Sequence, residues 1–354
     1  MISDIRLQRF RSYRDESFEF DAGVNIIVGP NASGKTNLLE ALLVASRGSS
    51  FRAKDTELVA HGAPWSRIDT HGDDGQRTVK FVRQENATIK KEYVIHDQRL
   101  VRLSLPRTIP TVLFEPNHLQ LLHGSPEARR DYLDTLLEQT IPSYGKIRRD
   151  YRRTLAQRNA LLKRGPGSRD QLFAWNVRLS DLGAQVVRYR HELVSRLDQE
   201  IGGLYQDLSG SRHDSVHARY RTDWHATDQY GSNLLHALEK RQDVDIERGF
   251  TSVGPHRDDL VMTFGDREAA DVASRGETRT VLLVLKLLEV SLTQEARSQP
   301  PILLLDDVFS ELDGARRRAL TKVIAGYQSF ITTTDADVVV QHFMGDCRIL
   351  PLGT

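Results

Sequence analysis

Gly29-Pro30-Asn31-Ala32-Ser33-Gly34-Lys35-Thr36 follows the apolar run Val24–Val28 and precedes Leu38, Leu39, Ala41, Leu42 and Leu43 at helical spacing. An apolar strand, a glycine loop and a helix, in that order, form the context in which a phosphate-binding loop works. The glycines let the backbone curl until successive N–H groups converge on phosphate oxygens, and the helix presents its positive end to the same anion. This assigns Lys35 to the β- and γ-phosphates of ATP and Thr36 to Mg²⁺, with Gly29, Pro30, Asn31, Ala32, Ser33 and Gly34 forming the cradle. A second apolar run, Ile302–Leu305, ends in Asp306-Asp307, 270 residues beyond Thr36. Paired with the loop, Asp306 would hold Mg²⁺ through water and Asp307 would position or activate the water that attacks the γ-phosphate. Their separation implies one α/β ATPase core divided by a large insertion.

The chain has 354 residues, 39% apolar and 27% charged, enough for two or three domains of an ordinary globular protein. Charges at Asp4 and Arg6 interrupt any N-terminal signal sequence, and the greasiest run, Val281 to Val290, is broken by Lys286 and too short to span a bilayer. A cytoplasmic protein is expected. The single Cys347 excludes an internal disulfide and a cysteine-based zinc cage, so a metal would be held by oxygen. Net charge is only +1, but residues 141–170 carry nine cations: Lys146, Arg148, Arg149, Arg152, Arg153, Arg158, Lys163, Arg164 and Arg169. Such a face suits a polyanion, although a solvated helix surface has the same composition.

Alternation of Ile5, Leu7, Phe18 and Phe20, and shorter segments at Arg77–Val82 and Glu92–Ile95, predict an antiparallel meander beside the nucleotide strand. Ile109–Phe114 reads as a further core strand. Helical texture begins at Ser125-Pro126-Glu127, an N-cap with proline at the first helical position. It breaks at Gly165-Pro166-Gly167-Ser168 and resumes from about Gln171 to Leu208, where Leu179, Leu182, Val186, Leu193, Leu197 and Ile201 recur at helical steps. A helix of that length reaches roughly 50 Å. Strand-like alternation returns at Leu260, Met262 and Phe264, followed by a helix over Val281–Leu292 and a last strand, Phe330–Thr334. The expected architecture is a discontinuous core, residues 1–120 plus 248–354, with a helical arm at 121–247.

Ala273-Ser274-Arg275-Gly276-Glu277 has the spacing of a capping box, and an open helix N-terminus with serine and glycine is also an anion site. Its place ahead of the acidic strand is similar to that of the signature sequence of ABC-type ATPases, which reaches the γ-phosphate bound by a second subunit. On that likeness Ser274 and Gly276 contact ATP in trans. Ser310-Glu311-Leu312-Asp313 occupies the place of the D-loop, along the subunit interface. Thr334, closing Thr332-Thr333-Thr334, takes the switch position in place of a histidine.

These motifs resemble the ABC-type ATPase heads of the SMC group and, within it, the RecF family, and the similarity runs the length of the chain. It is carried by Arg9-Phe10-Arg11-Ser12-Tyr13, the phosphate loop, Gly124-Ser125-Pro126-Glu127-Ala128-Arg129-Arg130, Gly254-Pro255-His256-Arg257-Asp258-Asp259 and Leu305-Asp306-Asp307-Val308-Phe309-Ser310-Glu311-Leu312-Asp313. The resemblance implies a two-lobed ABC-type P-loop ATPase head, with a mixed sheet core, an antiparallel meander and an inserted α-helical arm. It also implies a weak Mg²⁺-dependent ATPase that dimerises around ATP on DNA at single-strand gaps. With RecR, and indirectly RecO, such a protein promotes loading of RecA, and slow hydrolysis resets it.

The chain departs from the general ABC pattern in having aspartate at Asp307 where glutamate is usual, and its Q-loop is represented only by the candidates Glu115 and Gln120. Two other readings share the core motifs. A transporter nucleotide-binding subunit has a far shorter insertion than the 238 residues from Lys35 to Ala273. An overcoming-lysogenization ATPase carries a nuclease domain, for which the 17 residues after Asp337 are too few, so Asp335-Ala336-Asp337 is expected to be a polar loop. DNA contacts are expected to be to backbone phosphates, without sequence specificity and on double-stranded DNA or its junctions, because no aromatic run offers a stacking platform. The turn at Gly254-Pro255 is expected to join arm to core, with Arg257 transmitting the nucleotide state; a loop stapled by Asp258 and Asp259 is the plainer alternative.

Overall fold

Ile5 and Leu7 lie on one face of the first strand and are fully buried, while Arg6 between them is exposed; this is the alternation of a sheet with one wet face. The computed structural model describes residues 1–165, 167, 169–210, 215–224, 228–343 and 347–353. They form two compact units, Met1–His118 with Glu289–Thr354, and Leu119–Leu288. Pro166 and Ser168 of the expected helix break lie outside the described residues.

The strands before the boundary are β1 (Ile2–Phe10), β2 (Tyr13–Glu19), β3 (Val24–Val28), β4 (Trp65–Gly72), β5 (Arg77–Arg83), β6 (Ile89–Ile95), β7 (Gln98–Leu100) and β8 (Thr111–Phe114). The second unit contributes β9 (Val216–Arg221), β10 (Asp259–Phe264) and β11 (Arg267–Glu268), and the chain closes with β12 (Ile302–Asp306), β13 (Ser329–Thr333) and β14 (Cys347–Pro351). In the first unit an antiparallel sheet runs β2-β1-β4-β5-β6-β7, and a second sheet, parallel at every pairing, runs β14-β3-β13-β12-β8. Parallel strands are buried on both faces, which explains the near-continuous apolar runs Val24–Val28 and Ile302–Leu305. Their C-terminal ends share one edge, where open α/β sheets bind ligands. No described helix is long and apolar enough to cross a membrane.

The second unit is built on a helix over Arg169–Ser209, 41 residues, close to the predicted limits. The units divide after residue 118 and after residue 288, against an expected arm at 121–247. Strand pairing explains where the second division falls. β10 lies between β9 and β11, so residues 259–268 complete a sheet of the helical unit and not one of the ATPase core. The Gly254–Asp259 loop therefore lies inside this unit and does not join arm to core.

That loop is stapled, and by more than its own carboxylates. Arg129 makes a two-pronged pair with Asp259 (2.7 and 2.8 Å) and Arg130 donates to the Asp258 carbonyl (2.7 Å), so two motifs of the family likeness meet each other. Arg190 bonds both oxygens of Asp134 and the Pro255 carbonyl. His256 accepts from the Tyr151 hydroxyl (2.8 Å) and donates to the Thr251 carbonyl (3.0 Å); burial, then Arg257 and other nearby arginines, push its pKa down to about 4. Arg257 itself is exposed and stacks over Phe250 at 5.2 Å.

Burial raises the Asp258 pKa to about 6 although Tyr220 donates to it at 2.7 Å. A carboxyl raised on folding binds more protons in the native state than in the unfolded chain, so its contribution to stability falls as pH rises from the ordinary value of 3.8 to about 6. Asp258→Asn keeps an acceptor for Tyr220 and removes the charge. It is expected to stabilise the protein by about 2 kcal/mol at pH 8 and to lose most of that advantage at pH 4, as read by chemical denaturation.

Candidate nucleotide site

β3 ends at Val28, and the loop leaves it beside β13, with Gly29 N–H donating to the Thr333 carbonyl at 3.4 Å. The backbone then enters the left-handed region at Ala32 (φ 66°) and Gly34 (φ 101°). Gly34 is required on two counts, its positive φ and the Tyr13 hydroxyl, which would stand 2.9 Å from an added Cβ and which donates to the Gly34 carbonyl. The helix Lys35–Arg47 starts there. The opening motif grips that helix from its flank: Arg11 makes a bidentate pair with buried Glu40 (2.8 and 2.9 Å), and Ser12 Oγ accepts from Asn37 at 2.9 Å.

Lys35 donates to the carbonyls of Gly29 (2.6 Å) and Pro30 (2.8 Å). Thr36 Oγ1 donates to Asp306 Oδ1 at 2.9 Å, closing the 270-residue gap. Thr332 Oγ1 donates to the same oxygen at 2.8 Å and accepts the N–H of Asp307 at 2.9 Å. Sequence reasoning passed over Thr332 for Thr334, which stands exposed on the bend after β13. The signal was register: Thr332 pairs with Asp306, and is buried, because β13 lies between β3 and β12.

Asp307 takes a left-handed conformation (φ 51°), rare for a residue with a side chain and found where surrounding structure imposes it. Burial raises its pKa, and the Asp306 carboxylate adds to the rise, against the Ser310 hydroxyl and Lys35. A carboxylate shifted in this direction is a better proton acceptor. Asp335-Ala336-Asp337 begins a short helix, Ala336–Val340, with Asp335 accepting from Asp337 N–H.

In the second unit, Ser274 N–H donates to Glu277 (2.7 Å) and Glu277 N–H to Ser274 Oγ (3.3 Å), a complete capping box on the helix Arg275–Arg297. Ser274 and Arg275 are exposed and Gly276 half-buried. His123 braces this entry through the Ala270 carbonyl and the Thr278 hydroxyl, each at 3.1 Å. The Q-loop candidates separate: Glu115 belongs to the first unit, its N–H donated to His118 Nδ1, and Gln120 opens a short helix of the second.

The basic run is smaller than its count. Arg158 is fully buried, bonded to Asp245 (2.8 Å), Thr251 and Asn176. Arg148 is enclosed by Asp131, Asp134 and Glu138. On the helix Tyr144–Leu162 the exposed cations are Lys146, Arg149, Arg152 and Arg153, and Lys163 and Arg164 follow it. The side chain of Arg169 lies outside the described residues. A concavity of about 590 Å³ on the antiparallel sheet of the first unit is lined by Arg67, Lys80, Lys90, Lys91 and Arg99, in excess over Glu92, which pairs with Lys90, and Asp97.

The model of the RecF/RecN/SMC N terminal domain matches residues 1–344. A DNA replication and repair protein RecF of Heliobacterium modesticaldum is 36% identical over 343 residues, covering 94% of this chain and 92% of that protein. Its counterpart in Leifsonia xyli is 33% identical and covers 94% and 92%. The recombination mediator protein RecF solved with ATP, of the RecFOR pathway, superposes with a TM-score of 0.84 at 30% identity, covering 94% of this chain and 92% of that one. An Smc head bound to the C-winged helix domain of ScpA shares the fold at a TM-score of 0.54 and 15% identity, over 96% and 91% of the two chains. A match this long, at this identity, makes the chain a member of the RecF family.

Proposed function

We propose that this chain is an ATP-dependent, DNA-binding recombination mediator acting in DNA repair and replication, and that the hydrogen-bonded chain Thr36–Asp306–Thr332–Asp307 is its nucleotide-reading centre. That chain is the observation that carries the reading, because it joins the phosphate loop to the acidic strand through side chains whose only common business is a phosphate and a hard cation. The donors fit both. Thr36 and Asp306 offer oxygens, the preference of Mg²⁺, and Ser33 Oγ is buried without a hydrogen-bond partner in the loop. When bound, MgATP supplies the phosphoanhydride whose γ-phosphoryl goes to water. Lys35 would exchange the Gly29 and Pro30 carbonyls for phosphate oxygens, Thr36 and Asp306 would hold the cation, and Asp307 would take the proton of the attacking water. Thr334 is assigned the sensing of the γ-phosphate, beside Thr332, which bonds Asp306.

Ser274 and Gly276 are assigned to the γ-phosphate bound by a second copy, which makes dimerisation ATP-dependent and hydrolysis a slow reset. The partners are double-stranded DNA and its single-strand junctions, RecR directly, and RecO and RecA indirectly; the RecF relatives, one of them placed in the RecFOR pathway, support this.

DNA would be held by phosphate contacts from Lys146, Arg149, Arg152 and Arg153, with the sheet concavity as a second basic surface. Arg149→Glu with Arg153→Glu is expected to weaken ATP-dependent binding to double-stranded DNA about tenfold or more and to flatten the salt dependence by about two units of slope, through the loss of two phosphate contacts. Fluorescence anisotropy across a salt series measures both. An unchanged slope would remove this helix from the DNA interface.

A further inference from the structure

β14 runs parallel to β3 in register as far as Pro351 opposite Val28, and the next residue, Leu352, donates its N–H to the Val28 carbonyl at 2.7 Å. Leu352 is buried in the core that also holds Ile27 and Leu38. Beyond the strand the chain does not turn away from the phosphate loop; it presses on it. The Leu352 carbonyl would stand 2.5 Å from a Cβ at Gly29, so only glycine fits the first position of the loop. Gly353 is constrained first by its backbone (φ 85°), and a Cβ there would also press on the loop, meeting Ser33 Cβ at 3.2 Å and Pro30 Cδ at 3.5 Å.

The Gly29-Pro30 turn is thus held twice. One hold is Lys35, through the two carbonyls of that turn; the other is Leu352-Gly353. The holds differ in what nucleotide does to them. Lys35 spends two of its three donors on those carbonyls, so bonding β- and γ-phosphate oxygens together takes at least one donor away from the turn. The contacts from Leu352 and Gly353 involve backbone and Cβ atoms that no phosphate competes for.

We propose that Leu352-Gly353 is a positioning element for the phosphate loop, keeping the Gly29-Pro30 turn in its binding shape while Lys35 transfers from the loop carbonyls to the nucleotide. Neither residue touches ATP. The inference rests on the reading of the loop as an ATP site, and it makes Gly353, outside every recognised motif of this chain, a determinant of affinity.

The test compares wild type, a chain ending at Pro351 and Gly353→Val, using titration with a fluorescent ATP analogue, steady-state hydrolysis over a range of ATP concentrations, and melting without nucleotide. The first variant removes the hold and the second drives a branched side chain into the loop. Each is expected to raise Kd and KM for ATP about tenfold, with kcat within about twofold of wild type. The nucleotide-free melting midpoint should fall further in the truncated chain, which loses buried Leu352 from the core, than in Gly353→Val, so the change in affinity common to both variants is the readout. Unchanged Kd and KM in both variants would overturn the inference and leave the ATP reading standing. A fall in kcat with Kd unchanged would also overturn it, because a positioning role for binding does not move the chemical step alone. Wild type failing to bind the analogue would sink the ATP reading and the inference with it.

Discussion

Asp307→Asn is expected to cut MgATP hydrolysis by about a hundredfold or more while ATP affinity stays within about twofold, the pattern of a residue that acts on the chemical step as a base. The substitution is clean for structural reasons. Asp307 sits at φ 51°, and asparagine is the side-chain residue that tolerates this region best, so the turn after β12 keeps its course. Its N–H remains available to the Thr332 hydroxyl, and the Ser310 hydroxyl still reaches its carbonyl. What is lost is the capacity to accept a proton. Burial and the neighbouring Asp306 raise the affinity of Asp307 for that proton in wild type, so wild-type turnover should fall as pH drops through the raised pKa, whereas the residual rate of the variant should not show that fall. Single-turnover phosphate release across pH, beside nucleotide titration, reads both effects. Near-normal turnover in the variant would place the base elsewhere. Asp306→Asn should behave differently: Asp306 accepts from both Thr36 and Thr332, and its loss should weaken Mg²⁺-dependent nucleotide binding as well as turnover.

The contrast between Asp307 and Thr332 shows which parts of such a site can be read from sequence. The phosphate loop, Asp306 and Asp307 were legible because their chemistry is local: strand, glycines and helix are contiguous, and an apolar run ending in two carboxylates announces itself. Thr332 depends on the order β3-β13-β12, which brings residues from three distant segments to one edge, and one-dimensional periodicity does not reveal strand order. The short edge strand β14 was missed for a related reason, since Cys347–Pro351 alternates weakly and its pairing with β3 is what makes it a strand. Arg158 was misread by counting charges instead of following helical period: it falls two turns after Tyr151 on the buried stripe of its helix, where an arginine needs the partner that Asp245 supplies. The run from Gly254 to Asp259 was recognisable as specific, but β10 pairs with β9, and that pairing gives the run to the helical unit.

Ser274→Arg is expected to abolish ATP-induced dimerisation outright while leaving ATP binding to the monomer intact. In wild type, sedimentation should show a dimer with MgATP and a monomer with MgADP; in the variant, a monomer with either. The proposed interface role shares this serine with the observed helix cap, and the experiment has to separate the two. As a helix cap, Ser274 satisfies the Glu277 N–H, and losing a cap costs about 1 kcal/mol, a local effect that leaves a helix of 23 residues standing. As an interface residue it is exposed at the open end of that helix, where a small hydroxyl and the half-buried Gly276 leave room for an anion from another molecule. Arginine fills that room with a long side chain. A Ser274→Ala control loses the same cap without the bulk, so a variant that melts like Ser274→Ala yet fails to dimerise locates the defect at the interface. Dimerisation by Ser274→Arg would reduce the motif to its capping box. A monomer in every nucleotide state, wild type included, would move the trigger for assembly from ATP alone to ATP with DNA, and the same centrifugation with a duplex present would then decide whether Ser274 is needed.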